Sequence, residues 1–585
     1  MNTGTQKPRG FRDILFSEAA RRERIVGVAS SFFADAGYEL VETPSVENPE
    51  TLLLGQDSLS NTFRFVDVDG NLIALRSDVT GSLARVVATR FSLIDPPYRL
   101  RYVADVFQEQ ESLRGSDRQQ TQIGLECYGL SSDEGDSEVL GLTLGGLTAI
   151  GLQGVKLHMS DVNVVASLLP ACGDVAAAHS DLESWREEFW SAWATGDFIR
   201  LKELTLPLSA GGILEDDASE ALRKLLALRG GPEVLDQALE LAGHDEVARQ
   251  AIENLRRSFT AISDYDVVID FSLASTHSYY SGLIFEVNAP QFDGRYCCVG
   301  RGGRYDTLLE QFGRKMPAVG FMYDLASLEA VVASFEQAEC GGEANGAYLA
   351  GSALDSAGNG LVGSSTEGRP PLRIAVPKGR LYGECIELLA RAGVSLPGLD
   401  DPGRTLRISD ERFDVIIAKP TDVAIYVSRG AADIGISGRD TLVEADFPLL
   451  QLIDLQFGGC EFVVAAPEGL DCSLDELSLR LGTIRVATKH PRLTQQFFDG
   501  RGIQVEIVKL NGNIELAPLI GISDLIVDLT QTGTTLRENK LHVVEAVLPS
   551  TGRFVAQYSA ARTDPRVLEL AEKLEALLES GETQC

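Results

Sequence analysis

The chain is expected to fold as two units of different class: an α+β unit built on an antiparallel sheet, then a two-lobed α/β unit. Three observations carry this expectation. Residues 1–335 place short strand-like runs beside one another with polar excursions between them, as antiparallel sheets do. Residues 336–371 are rich in Gly, Ala and Ser with few large apolar groups, a composition that cannot offset the entropy of folding, and they read as a flexible linker. From residue 372 onward, apolar runs alternate with amphipathic stretches in the βα rhythm of parallel sheets.

Composition narrows the partners. At 585 residues the chain exceeds what one core can organise. No run of 18 uncharged apolar residues occurs, so no membrane span is expected. The opening MNTGTQKPRGFRD lacks the apolar core of a signal peptide, and a cytoplasmic location is expected. The nine cysteines show no CxxC or Cys/His spacing, which points to reduced thiols and not to zinc. A net charge of −33 repels nucleic-acid backbones and disfavours an RNA partner, while leaving anionic ligands to a small basic site.

In chain order, Ile25, Val28, Ala29, Phe32 and Phe33 recur at helical spacing, and Gly37 ends the helix. Residues 61–88 read as two strands turning at Asp69-Gly70, followed by a helix from about Thr80. Residues 99–112 and 118–130 are two further strands. Gln122 and Glu126, four apart on the second, face one side of the sheet. A helical insertion is expected over about 170–260, where Leu222, Leu225, Leu226, Leu235 and Leu239 form amphipathic stripes.

The order KPRGFRD, LRSDVTGSLAR, YRLRYVADVFQEQES with RQQTQIGLECYG, VIDFSLASTHSYYSGLIFEV, and GGRYDTLLEQFGRKMPAVGFMYDLASL resembles class II aminoacyl-tRNA synthetases, the histidyl enzyme most closely. The resemblance implies a histidine pocket. Asp78 and Thr80 would meet the α-ammonium group, Gln122 and Glu126 would lie beside them, Tyr279 and Tyr280 would wall the imidazole, and Arg118 would pair with a carboxylate. Amino-acid activation builds charge on the ATP α-phosphate and needs cations. Three arginine positions of the family hold Gln108, Ser275 and Ser327 here, so no aminoacyl-adenylate and no tRNA partner are expected. A synthetase-like fold that keeps the pocket and lacks those arginines resembles the regulatory subunit of ATP phosphoribosyltransferase.

In the second half, Leu372, Ile374 and Val376 make a strand, and Lys378, Gly379 and Arg380 occupy the turn before a helix, a natural site for phosphates. A second lobe is expected over about 483–548. Near its end, Leu525, Ile526 and Val527 form a buried strand, Asp528 closes it, and Thr530, Thr532, Gly533, Thr534 and Thr535 lead into a helix. Backbone N–H groups, hydroxyls and the helix dipole there make a phosphate cradle. Asp528 is placed to accept ribose hydroxyls or to sit near a bound magnesium.

The signatures PKGRL, KPTDVAIYV with GAADIGISGRD, RVATKHP, LNGNIELAPLIG and DLIVDLTQTGTTLREN closely resemble the short form of ATP phosphoribosyltransferase, first enzyme of histidine biosynthesis. The resemblance implies a two-lobed, periplasmic-binding-protein-like α/β unit. Such a unit would condense ATP with phosphoribosyl pyrophosphate, with magnesium carried by the latter. The 528–535 loop would hold the 5-phosphate, Glu515 and Asp528 would meet ribose hydroxyls or magnesium, and Lys378, Arg380 and Arg404 would hold ATP phosphates or pyrophosphate. Lys419 stands where the family's short form has arginine. The expectation is one polypeptide joining a histidine-sensing half to a catalytic half, self-associating as a homo-oligomer. An active histidyl-type ligase and a two-lobed solute-binding module are the alternatives.

Overall fold

The computed structural model describes residues 7–54, 61–109, 117–172, 182–206, 217–275, 277–339, 369–470, 472–531 and 533–580. The chain divides into two compact units, residues 1–194 with 200–369 and residues 195–199 with 370–585.

The first unit is organised by a nine-stranded sheet. Its order is Glu39–Leu40, Tyr98–Phe107, Gln119–Tyr128, Ala318–Asp324, Tyr296–Arg304, Leu283–Pro290, Lys156–Asp161, Asp266–Asp270 and Arg229–Gly230. Neighbours run antiparallel except at two pairings, Glu39–Leu40 with Tyr98–Phe107 and Lys156–Asp161 with Asp266–Asp270. The helix Phe16–Asp35 buries Ile25, Ala29 and Phe33, three of the five residues on its expected apolar stripe. It stops at Gly37, whose φ of +87° is the left-handed turn that glycine adopts without strain. The Asp69-Gly70 turn joins the strands Arg64–Val66 and Leu72–Leu75, and the helix Thr80–Arg90 follows. The insertion contains the helices Leu182–Thr195, Asp217–Ala227, Glu233–Ala242 and Glu246–Ala261, with Leu222, Leu225 and Leu235 fully buried.

One boundary differs from expectation. The helix Leu325–Glu339 continues four residues into the stretch read as linker. Leu328, Val331, Val332 and Phe335 keep its buried face in register, and Glu336 accepts from Arg21 at 2.8 Å, which holds the last turn. Residues 340–368, the rest of that stretch up to Arg369, lie outside the described residues.

The second unit carries two sheets. Six strands run in the order Arg407–Ser409, Phe413–Ala418, Leu372–Pro377, Ile434–Gly438, Gly552–Ala556, Leu450–Asp454. Five run Val505–Lys509, Ile484–Thr488, Leu525–Thr530, Cys460–Pro467, Leu541–Ser550. Each sheet joins three parallel strands to antiparallel additions, so both are mixed where parallel sheets were expected. Arg407–Ser409 adds as a local hairpin with Phe413–Ala418, whereas Gly552–Ala556 returns to the first lobe after the chain has crossed between the lobes twice, which also moves the lobe boundary. The second lobe begins at Cys460 and runs to Ser550, where about 483–548 was expected. The crossings lie against each other: the Gly552 N–H donates to Phe457 O at 3.0 Å. A Cβ on Gly552 would stand 2.9 Å from the Phe457 ring, so the approach requires glycine.

Both faces of the first-lobe sheet are covered. Leu372, Ile374 and Val376 point into one buried cluster with Cys385 and Leu389, and Ala375 points into another with Val423 and Val427. That is why the strand reads as a continuous apolar run. Each fully buried aliphatic side chain contributes about 1.5–3 kcal/mol.

Candidate functional site

Parallel strands present their carboxyl ends as a common edge, where ligands bind. In the first lobe that edge is basic. Lys378 follows directly on Leu372–Pro377, its N–H held by Ala418 O at 2.6 Å, and Gly379 at φ +98° turns the chain into the next helix. Arg380 is exposed, and its guanidinium donates to Gly458 O at 3.0 Å and approaches Cys460 Sγ at 3.6 Å, in the lobe crossing. Burial, with Asp440 nearby, pushes the Cys460 thiol up and keeps it protonated. Lys419 follows directly on Phe413–Ala418 and caps the helix Pro420–Ser428. Lys378, Lys419 and Arg404 are exposed, and none forms an ion pair among the described residues. In a chain of net charge −33, cations without carboxylate partners at one strand edge attract polyanions.

The second lobe supplies the complementary part. Leu525, Ile526 and Val527 are buried, and Asp528 emerges half-buried at the strand's end. One Asp528 oxygen accepts from the Leu529 N–H at 2.9 Å, and the other lies 3.5 Å from Lys489 Nζ. Thr530 Oγ1 accepts from the Gly533 N–H at 2.9 Å, which closes the loop on itself. Gly533, at φ +68°, opens the short helix Thr534–Glu538, on which Thr534 and Thr535 are exposed. Thr532 lies outside the described residues. Glu515 is half-buried in the turn Ile514–Leu516. Ile514, Ile526 and Leu536 share one buried cluster, so Glu515's turn, Asp528's strand and the loop helix are packed as one piece.

The first unit contains an acidic, tyrosine-lined centre. Glu126 is buried with 2% exposure and accepts from Thr80 Oγ1 at 2.9 Å and from the Tyr305 hydroxyl. Gly320 pairs with Glu126 across the strands, and a Cβ on it would stand 1.7 Å from the carboxylate, so glycine makes the room. Tyr279 and Tyr280 pack at 4.8 Å between ring centroids, and Tyr279 reaches Tyr305 at 5.7 Å. Burial, reinforced by Asp78 and opposed by the Thr80 hydrogen bond, raises the Glu126 carboxyl well above the ordinary range. Burial likewise raises the Tyr279 and Tyr280 hydroxyls, with Asp78 adding to both. One Asp78 oxygen accepts from the Thr80 N–H at 3.1 Å, while the other is buried with no partner among the described residues, as is Gln122 Oε1. Buried acceptors of this kind cost stability until a donor arrives.

Asp78, Thr80, Glu126, Tyr279 and Tyr280 are thus brought together, with Gln122 on the same face of Glu126's strand, four residues before it. Arg118 is not. It stands eight residues from Glu126, roughly 27 Å along an extended strand. Its guanidinium lies over the Phe63 ring at 5.6 Å, and its N–H donates to Gly10 O. The neutral residues Gln108, Ser275 and Ser327 are engaged locally: Gln108 through its N–H to Arg118 O, Ser275 accepting from the His277 N–H, and Ser327 donating from its N–H to Asp324. Arg304 is buried against Asp136 and Asp306, each at 2.8 Å, a structural network. Three contributors escaped sequence reasoning: Tyr305, Gly320 and Lys489. For the first two, the GGRYD and AVGF strings carry the signal only once strand register is known. Lys489 stands in the RVATKHP string, but its partner is 39 residues away.

A family model described as histidyl-tRNA synthetase matches residues 10–328, and one described as ATP phosphoribosyltransferase matches residues 419–579. An ATP phosphoribosyltransferase of Caldanaerobacter subterraneus subsp. tengcongensis is 41% identical over 211 residues, covering 36% of this chain and 98% of the relative. One of Moorella thermoacetica is 45% identical over 212 residues, 35% of this chain and 91% of the relative. Among solved structures, an ATP phosphoribosyltransferase regulatory subunit/histidyl-tRNA synthetase of Bacillus halodurans is 24% identical, with a TM-score of 0.49, covering 71% of this chain and 93% of that one. With a known transferase matched almost end to end and the synthetase model covering more than half of the chain ahead of it, the chain belongs to the ATP phosphoribosyltransferase family and carries a histidyl-tRNA-synthetase-family region before its transferase region.

Proposed function

We propose that the second unit condenses ATP with phosphoribosyl pyrophosphate at the strand-end site, and that histidine bound in the first unit inhibits it. The reading of the site rests on one observation above the others: Asp528 and its threonine loop close one strand edge, and Lys378 and Lys419, without an ion pair among the described residues, stand at the strand edge of the other lobe, with Arg404 exposed in the loop before Arg407–Ser409.

The chemistry follows from charge. Adenine N1 attacks C1 of the ribose as the bond from C1 to the pyrophosphate oxygen breaks, and the sugar passes through an oxocarbenium-like state. The attacking nitrogen carries a lone pair, so the step needs no general base. The leaving pyrophosphate gathers negative charge, which Lys378, Arg380, Arg404 and Lys419 stabilise. Thr530, Thr532, Gly533, Thr534 and Thr535 hold the 5-phosphate, and Asp528 and Glu515 accept from the ribose hydroxyls. The described residues contain no group of three or more His, Cys, Asp or Glu side chains able to hold a metal ion. Magnesium would enter with the pyrophosphate as the substrate's counter-ion, and Asp528 and Glu515 are the carboxylates that would meet it.

In the first unit, the acceptors of Asp78, Glu126 and Gln122 suit an ammonium donor, and Tyr279 and Tyr280 suit an imidazole. Gln108, Ser275 and Ser327 leave no arginine set for adenylate formation, so the pocket senses histidine and neither activates it nor engages tRNA. The enzyme self-associates and works in the cytoplasm; no helix among the described residues is long and apolar enough to cross a membrane. Purified full-length protein should form phosphoribosyl-ATP from ATP and phosphoribosyl pyrophosphate and show no histidine-dependent pyrophosphate exchange. Exchange without phosphoribosyl-ATP would mean a ligase instead.

A further inference from the structure

Four parallel strands of the second unit hand over directly to a cation at their carboxyl ends: Leu372–Pro377 to Lys378, Phe413–Ala418 to Lys419, Ile434–Gly438 to Arg439, and Ile484–Thr488 to Lys489. Only 52 of the 585 residues are Lys or Arg, so composition does not account for the run. The edge at which parallel strands end is the ligand edge. Lys489 is the member of this set that stands beside the phosphate loop.

We propose that Lys489 is a substrate-binding residue for the phosphorylated sugar, held on Asp528 until the sugar arrives and then turned onto one of its phosphate oxygens. This rests on the placement of that substrate at Asp528 and the threonine loop.

The pairing is built to open. Lys489 Nζ lies 3.5 Å from Asp528 Oδ2, a loose distance for an ion pair, and the two side chains are 41% and 19% exposed. Pairs this open contribute little, so breaking one costs the site little. Lys489 has no other partner among the described residues. The strands of both residues are neighbours in register, with Thr488 opposite Val527, so their next residues stand side by side at the edge.

The exchange also balances charge. Ribose hydroxyls donate to the Asp528 oxygens, which takes over the role of the ammonium. The released ammonium then meets phosphate oxygens that arrive in the same molecule. Without Lys489, Asp528 would present an uncompensated carboxylate beside a loop that must accept a phosphate, and like charges would repel. ATP, which is not assigned to Asp528 or to the threonine loop, should not feel this change.

The test is steady-state kinetics of the full chain with Lys489→Met, Lys489→Arg and Asp528→Asn, with thermal melting as a folding control. Lys489→Met should raise KM for phosphoribosyl pyrophosphate about tenfold or more, the effect of losing a charge-assisted contact, and leave KM for ATP within about twofold. Lys489→Arg should restore most of the loss, and all melting temperatures should match the parent. An unchanged KM for phosphoribosyl pyrophosphate in Lys489→Met, or equal rises for both substrates, overturns the inference. If Asp528→Asn alone is impaired, only the role of Lys489 falls. If Asp528→Asn is also silent, the placement of the sugar falls with it.

Discussion

Glu126 and Gly320 face each other across two antiparallel strands, and the space a side chain on Gly320 would take is filled by the Glu126 carboxylate. A glycine on one strand therefore admits a buried acid on the next. Tyr305 and Thr80 complete its hydrogen bonding, and the result is a pocket whose acid is held above its ordinary pKa.

That acid sets a stability signature. The folded pKa of Glu126 lies above its ordinary value of 4.5, chiefly because of burial. Its contribution is therefore fully present below about pH 4.5 and is lost as pH rises through the folded value, because the buried carboxyl must ionise. Glu126→Gln keeps the hydrogen-bonding shape and never ionises. Its melting temperature should equal the parent's near pH 4 and exceed it at pH 8, measured without histidine. A difference that shrinks as pH rises would contradict the burial argument.

Histidine should bind poorly to the same variant. An arriving ammonium favours the ionised form of Glu126, and in the variant it meets a neutral amide instead and loses a hydrogen bond to a charged partner, roughly 1.5–3 kcal/mol or about 10- to 150-fold in affinity. Calorimetric titration of histidine into parent and Glu126→Gln protein gives the comparison.

In the second unit, Lys419 keeps the charge of an arginine position without its two-pronged geometry. It is exposed, caps its helix through the backbone, and has no competing carboxylate among the described residues. Lys419→Arg should grip pyrophosphate better and raise kcat/KM for phosphoribosyl pyrophosphate by roughly two- to tenfold. A fall in kcat/KM would show that the lysine suits this site better than the fork.

Gly533 tests the loop by its backbone. At φ +68° it adopts the left-handed conformation, and a Cβ there would stand 3.4 Å from the Arg537 guanidinium. Gly533→Ala should cost about 1–2 kcal/mol locally. It should also raise KM for phosphoribosyl pyrophosphate more than KM for ATP.

What could be read without a structure was local. Gly37, the Asp69-Gly70 turn, the Lys378-Gly379-Arg380 turn and the described residues of the threonine loop each carry their conformation in a few adjacent residues, and each stands where expected. What depended on distant pairing was missed. Strand Gly552–Ala556 sits between Ile434–Gly438 and Leu450–Asp454, partners about a hundred residues earlier, so the lobe boundary and the mixed sheets could not be seen in the βα rhythm. Tyr305 reaches Glu126 from 179 residues away. Arg118 shows the opposite failure: its side-chain parity matches Gln122 and Glu126, but an extended strand carries it away from them.

The most direct measurement is phosphoribosyl-ATP formation by the full-length protein across a histidine titration, with histidine binding followed in parallel. The predicted result is formation of phosphoribosyl-ATP that falls as the first unit saturates with histidine. Activity unchanged while histidine saturates the first unit would contradict its assignment as the sensor of the catalytic unit.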